Sequence, residues 1–290
     1  MKKIIILSFV AVLISSCAKV PDNDIEIVEN KNYTPTVENS DYATRIECPK
    51  IKGGNNLLIV KKDSEYGVNY MLEWDCDKKA QRWTAYQMHK GNSASNVSRS
   101  GDDAWHEDED IPAEYRSTYE DYRYSGFDRG HLCPSADRLQ SKEMNRQTFC
   151  YSNMHPQYNA LNAFIWADME NKVRSWNRND FRDTLYVVKG GTIDNESQIF
   201  DFKTHDDYGL IIPKYFFMAV LCLKDGKYKA LGFWIEHKSS YSDSEQKSIK
   251  QYAVSIDQLE TFTGLDFFCN LDKTVQEAAE KETIISEWGF

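Results

Sequence analysis

Several features are missing from this sequence of 290 residues, and each absence closes off a class of function. After the first sixteen residues there is no second apolar span, so nothing beyond the N-terminus reads as a membrane-crossing helix. There is no internal repeat and no low-complexity tract, which argues against a solenoid and against a disordered scaffold. No Cys-x2-Cys pair exists, so the usual zinc-finger spacing is absent, and no EF-hand spacing marks a calcium loop. Positive charge is in deficit, with 35 Lys and Arg against 45 Asp and Glu and a formal net charge of −10. A chain of that sign repels a polyanion unless its charge is unevenly distributed.

What is present begins with a leader, "MKKIIILSFVAVLISS". Lys2 and Lys3 form a positive start, and Ile4 to Ile14 form an apolar stretch too short to span a bilayer comfortably. The "ISSC" that follows resembles the lipobox of bacterial lipoproteins. By that resemblance residues 1–16 are a signal peptide, and Cys17 becomes the acylated first residue, anchored at an envelope membrane and facing periplasm or exterior. Ordinary secretory cleavage near Ser16 is the alternative. Without Lys2 and Lys3 the charge falls to −12. Residues 17–45 are polar and acidic with no sustained apolar period, which predicts a tether. Residues 46–290 are long enough for one large domain with a real core.

Six cysteines remain after Cys17, an even count that in an exported chain predicts disulfides. Sequence order favours Cys48 with Cys76, Cys133 with Cys150 and Cys222 with Cys269.

Strand-like runs occur at Asn56–Val60, Val68–Trp74 and Gln81–His89. A polar loop from Gly91 to Asp121 follows, and its acidic run "GDDAWHEDED" reads as a solvated face, with calcium binding the alternative. Phe127–Leu132 reads as a strand stopped by Pro134, Ser135–Thr148 as a helix, and "FCYSNMHPQ" as extended. Leu161–Trp176 is the clearest helix, with Phe164, Ile165, Trp166, Met169 and Val173 on an apolar stripe. Strands at Thr184–Val188, Tyr215–Leu223 and Tyr228–Glu236 follow, the last two joined by "KDGK" as a hairpin. Ser255 opens a helix with Gln258 in capping-box position, and Gly264 closes it. Mixed strands, helices and hairpins predict an α+β fold.

The stretch "GFDRGHLCPSADR" holds one histidine, His131, behind Asp128, Arg129 and Gly130. Beyond it lies "SNMHPQYNALNAFIWADMENKVR", with Asn153, Asn162, Glu170 and Arg174. A DRGH segment is followed by an Asn-Met-x-Pro-Gln segment, an Asn nine residues after Asn153, and a Glu eight residues after that. The pattern resembles the DNA/RNA non-specific endonucleases of the ββα-metal class, endonuclease G among them, from about Leu57 to Phe268.

The resemblance implies a ββα-metal finger on a central, mainly antiparallel sheet flanked by helices. It implies a Mg2+-dependent endonuclease, with Mn2+ a possible substitute, cutting DNA and RNA to 5′-phosphate and 3′-hydroxyl products. His131 would be the general base, Asn162 the direct protein ligand of the metal, and Glu170 an outer ligand through water. Arg129 and Arg174 would contact phosphate or stabilise the transition state. Arg99, 32 residues before His131, would be an upstream arginine on substrate, and Arg138 a further substrate contact. Asp128 and Asn153 would orient the site.

Elementary chemistry supports those assignments. A neutral imidazole can accept a proton from water at neutral pH. Mg2+ takes oxygen ligands and keeps several waters, so a single Asn carbonyl suffices as an anchor. Along a helix, the eight residues from Asn162 to Glu170 rise about 12 Å, too far for both to ligate one ion directly. Arg174 stands four residues after Glu170, where the two can pair. The competing chemistry is zinc on His131, Cys133, Cys150 and His155. The lack of Cys-x2-Cys spacing disfavours it, and His155 reads as a neighbour of the site without a chemical role.

The charge deficit has a local exception. Arg123 to Arg182 carries nine Lys or Arg and six Asp or Glu, a surplus of +3 against −13 for the remainder. That basic island predicts binding to the backbone of DNA or RNA with little sequence dependence. The rival readings are a phosphodiesterase of the same fold with a narrower substrate, and a lipoprotein that binds nucleic acid without cutting.

Overall fold

The computed structural model describes residues 39–200, 210–281 and 283–290. The leader, Cys17 and residues 18–38 lie outside the described residues.

Nine strands are described: β1 (Asn56–Asp63), β2 (Gly67–Asp75), β3 (Ala80–His89), β4 (Asp128–His131), β5 (Met154–Gln157), β6 (Thr184–Gly191), β7 (Tyr215–Lys224), β8 (Lys227–Glu236) and β9 (Ala253–Val254). Seven form one antiparallel sheet in the order β1-β2-β3-β6-β7-β8-β9, while β4 and β5 pair separately as a two-stranded antiparallel ribbon. Between β7 and β8 the turn residues Asp225 and Gly226 both have positive φ, 49° and 73°. That is the geometry a tight hairpin needs to match strand twist.

The main sheet is buried on both faces, so its strands read as nearly continuous apolar runs. On β7, Phe216, Met218, Val220 and Cys222 point into one core, and Phe217, Ala219 and Leu221 into the other. The helices are α1 (Tyr119–Tyr122), α2 (Lys142–Gln147), α3 (Ala167–Trp176), α4 (Asp243–Gln246), α5 (Ile256–Thr263) and α6 (Lys273–Lys281). On the first face α3 packs through Met169, Val173 and Trp176, and on the second α5 contributes Ile256 and Leu259. The α+β architecture expected from the alternation of elements is the one observed.

Four expectations need correction, one of them only in part. Packed structure starts before residue 46: Ser40–Thr44 forms a short 3-10 turn with Ala43 buried, and Asn270 Nδ2 donates to the carbonyls of Ala43 (2.7 Å) and Arg45 (2.9 Å). One small apolar side chain held by polar bonds from elsewhere leaves no period to detect. The helix predicted over Ser135–Thr148 is only a 3-10 turn and then α2, because Ser141 caps a new start by accepting from the Met144 N–H at 3.0 Å.

The acidic run is the expected solvated face at Asp102, Asp103, Glu107, Glu109 and Asp110, which are exposed, and departs from it only at Asp108. Asp108 is buried, accepts from Lys61 Nζ at 2.5 Å and from the Ser152 hydroxyl, and leaves no oxygen cluster for calcium there. Finally, none of the six described cysteines is in a disulfide, so the three expected pairs are not formed. All six are buried and pack as small apolar side chains, Cys133 and Cys222 in the first core and Cys48 in the second.

Candidate active site

The β4–β5 ribbon positions the motif. Asp128 stands opposite Gln157, Gly130 opposite His155, and His131 opposite Met154. A Cβ on Gly130 would come within 2.7 Å of Cγ of the buried Gln157, so the ribbon needs glycine at this place. Asn153 clamps the strand that carries His131. Its side chain accepts from Cys133 N–H and donates to the Cys133 and Thr148 carbonyls, each at 2.9 Å. The helix is tied to the same strand by Trp166, whose indole N–H donates to the His131 carbonyl at 3.1 Å. Its first six residues, Leu161–Trp166, are wound as π-helix, an irregularity common at functional sites, and Asn162 lies within them.

His131, Asp128, Arg129, Arg99, Asn162 and Glu170 line one cavity of about 800 Å3. The His131 ring lies between Trp105 and Phe149, with centroids 5.4 and 5.2 Å away. Its Nε2 is buried and has no hydrogen-bond partner. Burial, reinforced by the cations of Arg99, Lys189 and Arg129, holds the imidazole down at about 3, so it is neutral at neutral pH.

Asp128 Oδ2 accepts from Asn162 Nδ2 at 3.0 Å and from Asn159 Nδ2 at 2.9 Å. That bond fixes the amide so that the remaining Asn162 atom, the carbonyl Oδ1, is the one left to the cavity. A hard oxygen beside a carboxylate, with no sulfur ligand, suits a hydrated divalent cation. Glu170 is held at 2.9 Å by Lys189 Nζ. Burial pushes its carboxyl upward while Lys189 opposes the shift.

The arginines divide. Arg129 lies over the Trp105 ring at 4.1 Å, and Arg99 lies over Phe149 at 5.4 Å with Nε donating to Ser135 Oγ at 2.8 Å. Both line the cavity. Arg174 does not take the expected partner: its Nε bonds Asp137 Oδ1 at 2.7 Å and its Nη1 bonds Asn171 Oδ1 at 2.7 Å, because Lys189 on β6 occupies Glu170. Arg138 is corrected outright. It is wholly buried, bonded to the carbonyls of Asn69, Gln87 and Asp137 and stacked on Tyr86, so it holds chain segments together and does not reach substrate.

The zinc reading also fails, since the four residues are dispersed. Cys150 Sγ meets His106 Nε2 at 3.0 Å, and His155 Nε2 donates to the Gln81 carbonyl at 3.2 Å. A larger groove of about 1520 Å3 runs beside β1 and contains none of the motif residues.

Two contributors went unread in the sequence. Lys189 is a fully buried lysine between the Tyr86 and Trp166 rings, and the signal was a lone cation in the apolar run "LYVVKGG". Trp105, which supports both Arg129 and His131, sits inside the acidic run and carried no periodic signal.

Comparisons with known proteins identify the family and the fold. The model of the DNA/RNA non-specific endonuclease family matches residues 59–274. The chain is 30% identical over 213 residues to mitochondrial endonuclease G of Bos taurus, covering 70% of this chain and 68% of that protein. It is 30% identical over 234 residues to a nuclease of Nostoc sp., covering 79% of each. The crystal structure of the EndoG/EndoGI complex superposes with a TM-score of 0.63 at 23% identity, covering 77% of this chain and 91% of that one, a likeness of fold. The chain belongs to the DNA/RNA non-specific endonuclease family and is a nuclease.

Proposed function

We propose that the cavity beside His131 hydrolyses phosphodiester bonds in both DNA and RNA with Mg2+, Mn2+ substituting, and leaves 5′-phosphate and 3′-hydroxyl ends. The observation that carries this reading is His131 Nε2, a buried acceptor with no protein partner, on a ring that stays neutral and lines the cavity. Such an atom costs free energy unless something in the functional cycle uses it. It is placed to take the proton of the attacking water.

Asn162 Oδ1 would hold the cation directly and Glu170 would orient its water shell. When bound, the cation polarises the phosphate and stabilises charge on the leaving 3′ oxygen. Asp128 keeps the Asn162 amide turned the right way, and Asn153 keeps the His131 strand in place. Arg129, Arg99 and Arg123 line the cavity, and Arg129 and Arg99 would neutralise the scissile phosphate. Arg174, held by Asp137, would add to the transition-state field from beside it. Among the described residues no element is shaped to read base edges, so contacts would be to the sugar-phosphate backbone.

In this reading residues 1–16 are removed, acylated Cys17 anchors the chain at the outer membrane, and the acidic tether leads to the nuclease domain, which faces periplasm or exterior. Fractionation tests the anchor: Cys17→Ser should leave the membrane pellet with activity intact, and continued pelleting after high-salt washing would contradict it.

For the chemistry, supercoiled plasmid and a structureless RNA are incubated with the purified chain in Mg2+ and in EDTA. Cleavage of both substrates in Mg2+ only, with ligatable 5′-phosphate ends, is the expected outcome. Undiminished cleavage in EDTA, or binding without any cutting, would overturn the proposal.

A further inference from the structure

The face of the sheet away from the catalytic ribbon is closed by α5 and α6, whose Ile256, Leu259 and Ala279 join the second core. Along their outer seam the two helices bring acids together. Asp257 and Glu260 on α5 and Glu280 near the end of α6 each place a carboxylate oxygen within 4.8 Å of the others. Asp257 is exposed and Glu260 half-buried, but Glu280 is only 4% exposed, and its Oε1 has no hydrogen-bond partner.

The surroundings of Glu280 make matters worse. Burial, then the charges of Glu260, Asp266 and Asp257, drive its carboxyl up to about 9, and a hydrogen bond with Gln276 offsets only part of this. Glu277 also lines the hollow, together with two cations, Lys273 and Lys281. Lys273 leans toward Glu277, at 3.7 Å. With Glu280 held neutral, the four other acids still outnumber the two lysines around the hollow, and a buried carboxyl oxygen lies at its floor.

We propose that Asp257, Glu260 and Glu280 form a second divalent-cation site, for Ca2+, which staples α5 to α6. The donors are all hard oxygens, as Ca2+ requires. Ca2+–oxygen distances of about 2.3–2.6 Å place ligands of one ion up to roughly 5 Å apart, so the present spacing accommodates the ion without moving either helix. Mg2+ demands shorter, near-octahedral coordination and sheds water reluctantly, which three carboxylates from two helices serve less well. The site is separate from the chemistry, since none of its residues lines the His131 cavity. Ca2+ here acts on stability, and the inference stands whether or not the assigned catalytic roles do.

The test uses the full-length chain carrying Asn162→Ala, so that the catalytic cavity lacks its assigned cation ligand. Calorimetric titration with CaCl2 should show one bound Ca2+ per chain. Thermal unfolding in about 1 mM Ca2+, the weak end of Ca2+ modules, should rise by roughly 2–5 °C over EDTA. Adding Glu280→Gln, or separately the exposed Asp257→Asn, should abolish both effects. In EDTA the Glu280→Gln chain should melt no lower than its parent, because a glutamine amide replaces a carboxyl that is already neutral there at neutral pH. Absence of Ca2+ binding in the Asn162→Ala chain would overturn the proposal. So would binding and a Tm rise that survive both substitutions, or a Glu280→Gln chain that is destabilised in EDTA.

Discussion

Glu170 and Glu280 both stand on helices that cover the central sheet, and their surroundings treat them differently. Glu170 has Lys189 at 2.9 Å, from a lysine with no exposed side-chain surface, and Arg174 acts on it from one turn further along α3. The charges acting most strongly on Glu280 are other acids. Both carboxyls are pushed upward by burial, but only Glu170 has a built-in cation to oppose it. The contrast teaches that the catalytic face pairs its buried glutamate with a buried lysine, whereas on the far face Lys273 and Lys281 line the hollow and the charges acting most strongly on Glu280 are acids.

Removing the compensation should give the largest change in stability. Lys189→Met strands Glu170 beside an apolar wall, and breaking one partner of a buried pair costs about 3–5 kcal/mol. Unfolding in urea should show that loss, and Lys189→Met combined with Glu170→Gln should recover most of it. A single mutant as stable as the parent would mean that Lys189 does not neutralise Glu170.

The comparison sharpens in the kinetics. Asn162→Ala, which removes the assigned inner ligand, should lower activity more than Glu170→Gln, whose outer role predicts a loss of about 10–100-fold, partly restored by raising Mg2+. Titration of Mg2+ against cleavage rate decides this. Should Glu170→Gln be the worse of the two and indifferent to metal, Glu170 ligates directly or acts as the base.

A smaller effect concerns the buried histidines of the first face. His155 and His237 are each 1% exposed and are held down at about 3 and about 4 by burial. Their folded-state values lie below the unfolded 6.5, so the unfolded chain binds more protons in acid. Their contribution is therefore intact above about pH 6.5 and lost progressively as pH falls toward 4. Each should add about 1.4 kcal/mol per pH unit to the decline. His155→Gln should flatten the fall in unfolding free energy between pH 6 and 4.5 by about one such increment. An unchanged slope would show that His155 is protonated in the fold.

How much of this was legible in the sequence depended on whether the signal was local. His131, Asp128, Asn162 and Glu170 sit in fixed spacings on a ribbon and the helix after it, and they line one cavity together. Six strands of the seven-stranded sheet came through as apolar runs, with the Asp225–Gly226 turn, while the two-residue β9 was too short to leave a pattern. What was missed depends on contacts distant in sequence. Arg138 looks like any basic residue near a motif until the carbonyls of Asn69 and Gln87 close around it. Lys189 pairs with Glu170 only because β6 runs beneath α3, which also turns Arg174 toward Asp137. The cysteine count suggested bridges, yet burial alone accounts for these thiols.

The central claim is that a neutral, unpartnered imidazole does the proton transfer. Plasmid nicking by His131→Ala in saturating Mg2+, on protein whose Tm matches the parent, tests it most directly. The account predicts a loss of at least about 10²–10⁴-fold in rate, the usual contribution of a positioned base. A folded His131→Ala chain that nicks within a few-fold of the parent would contradict it.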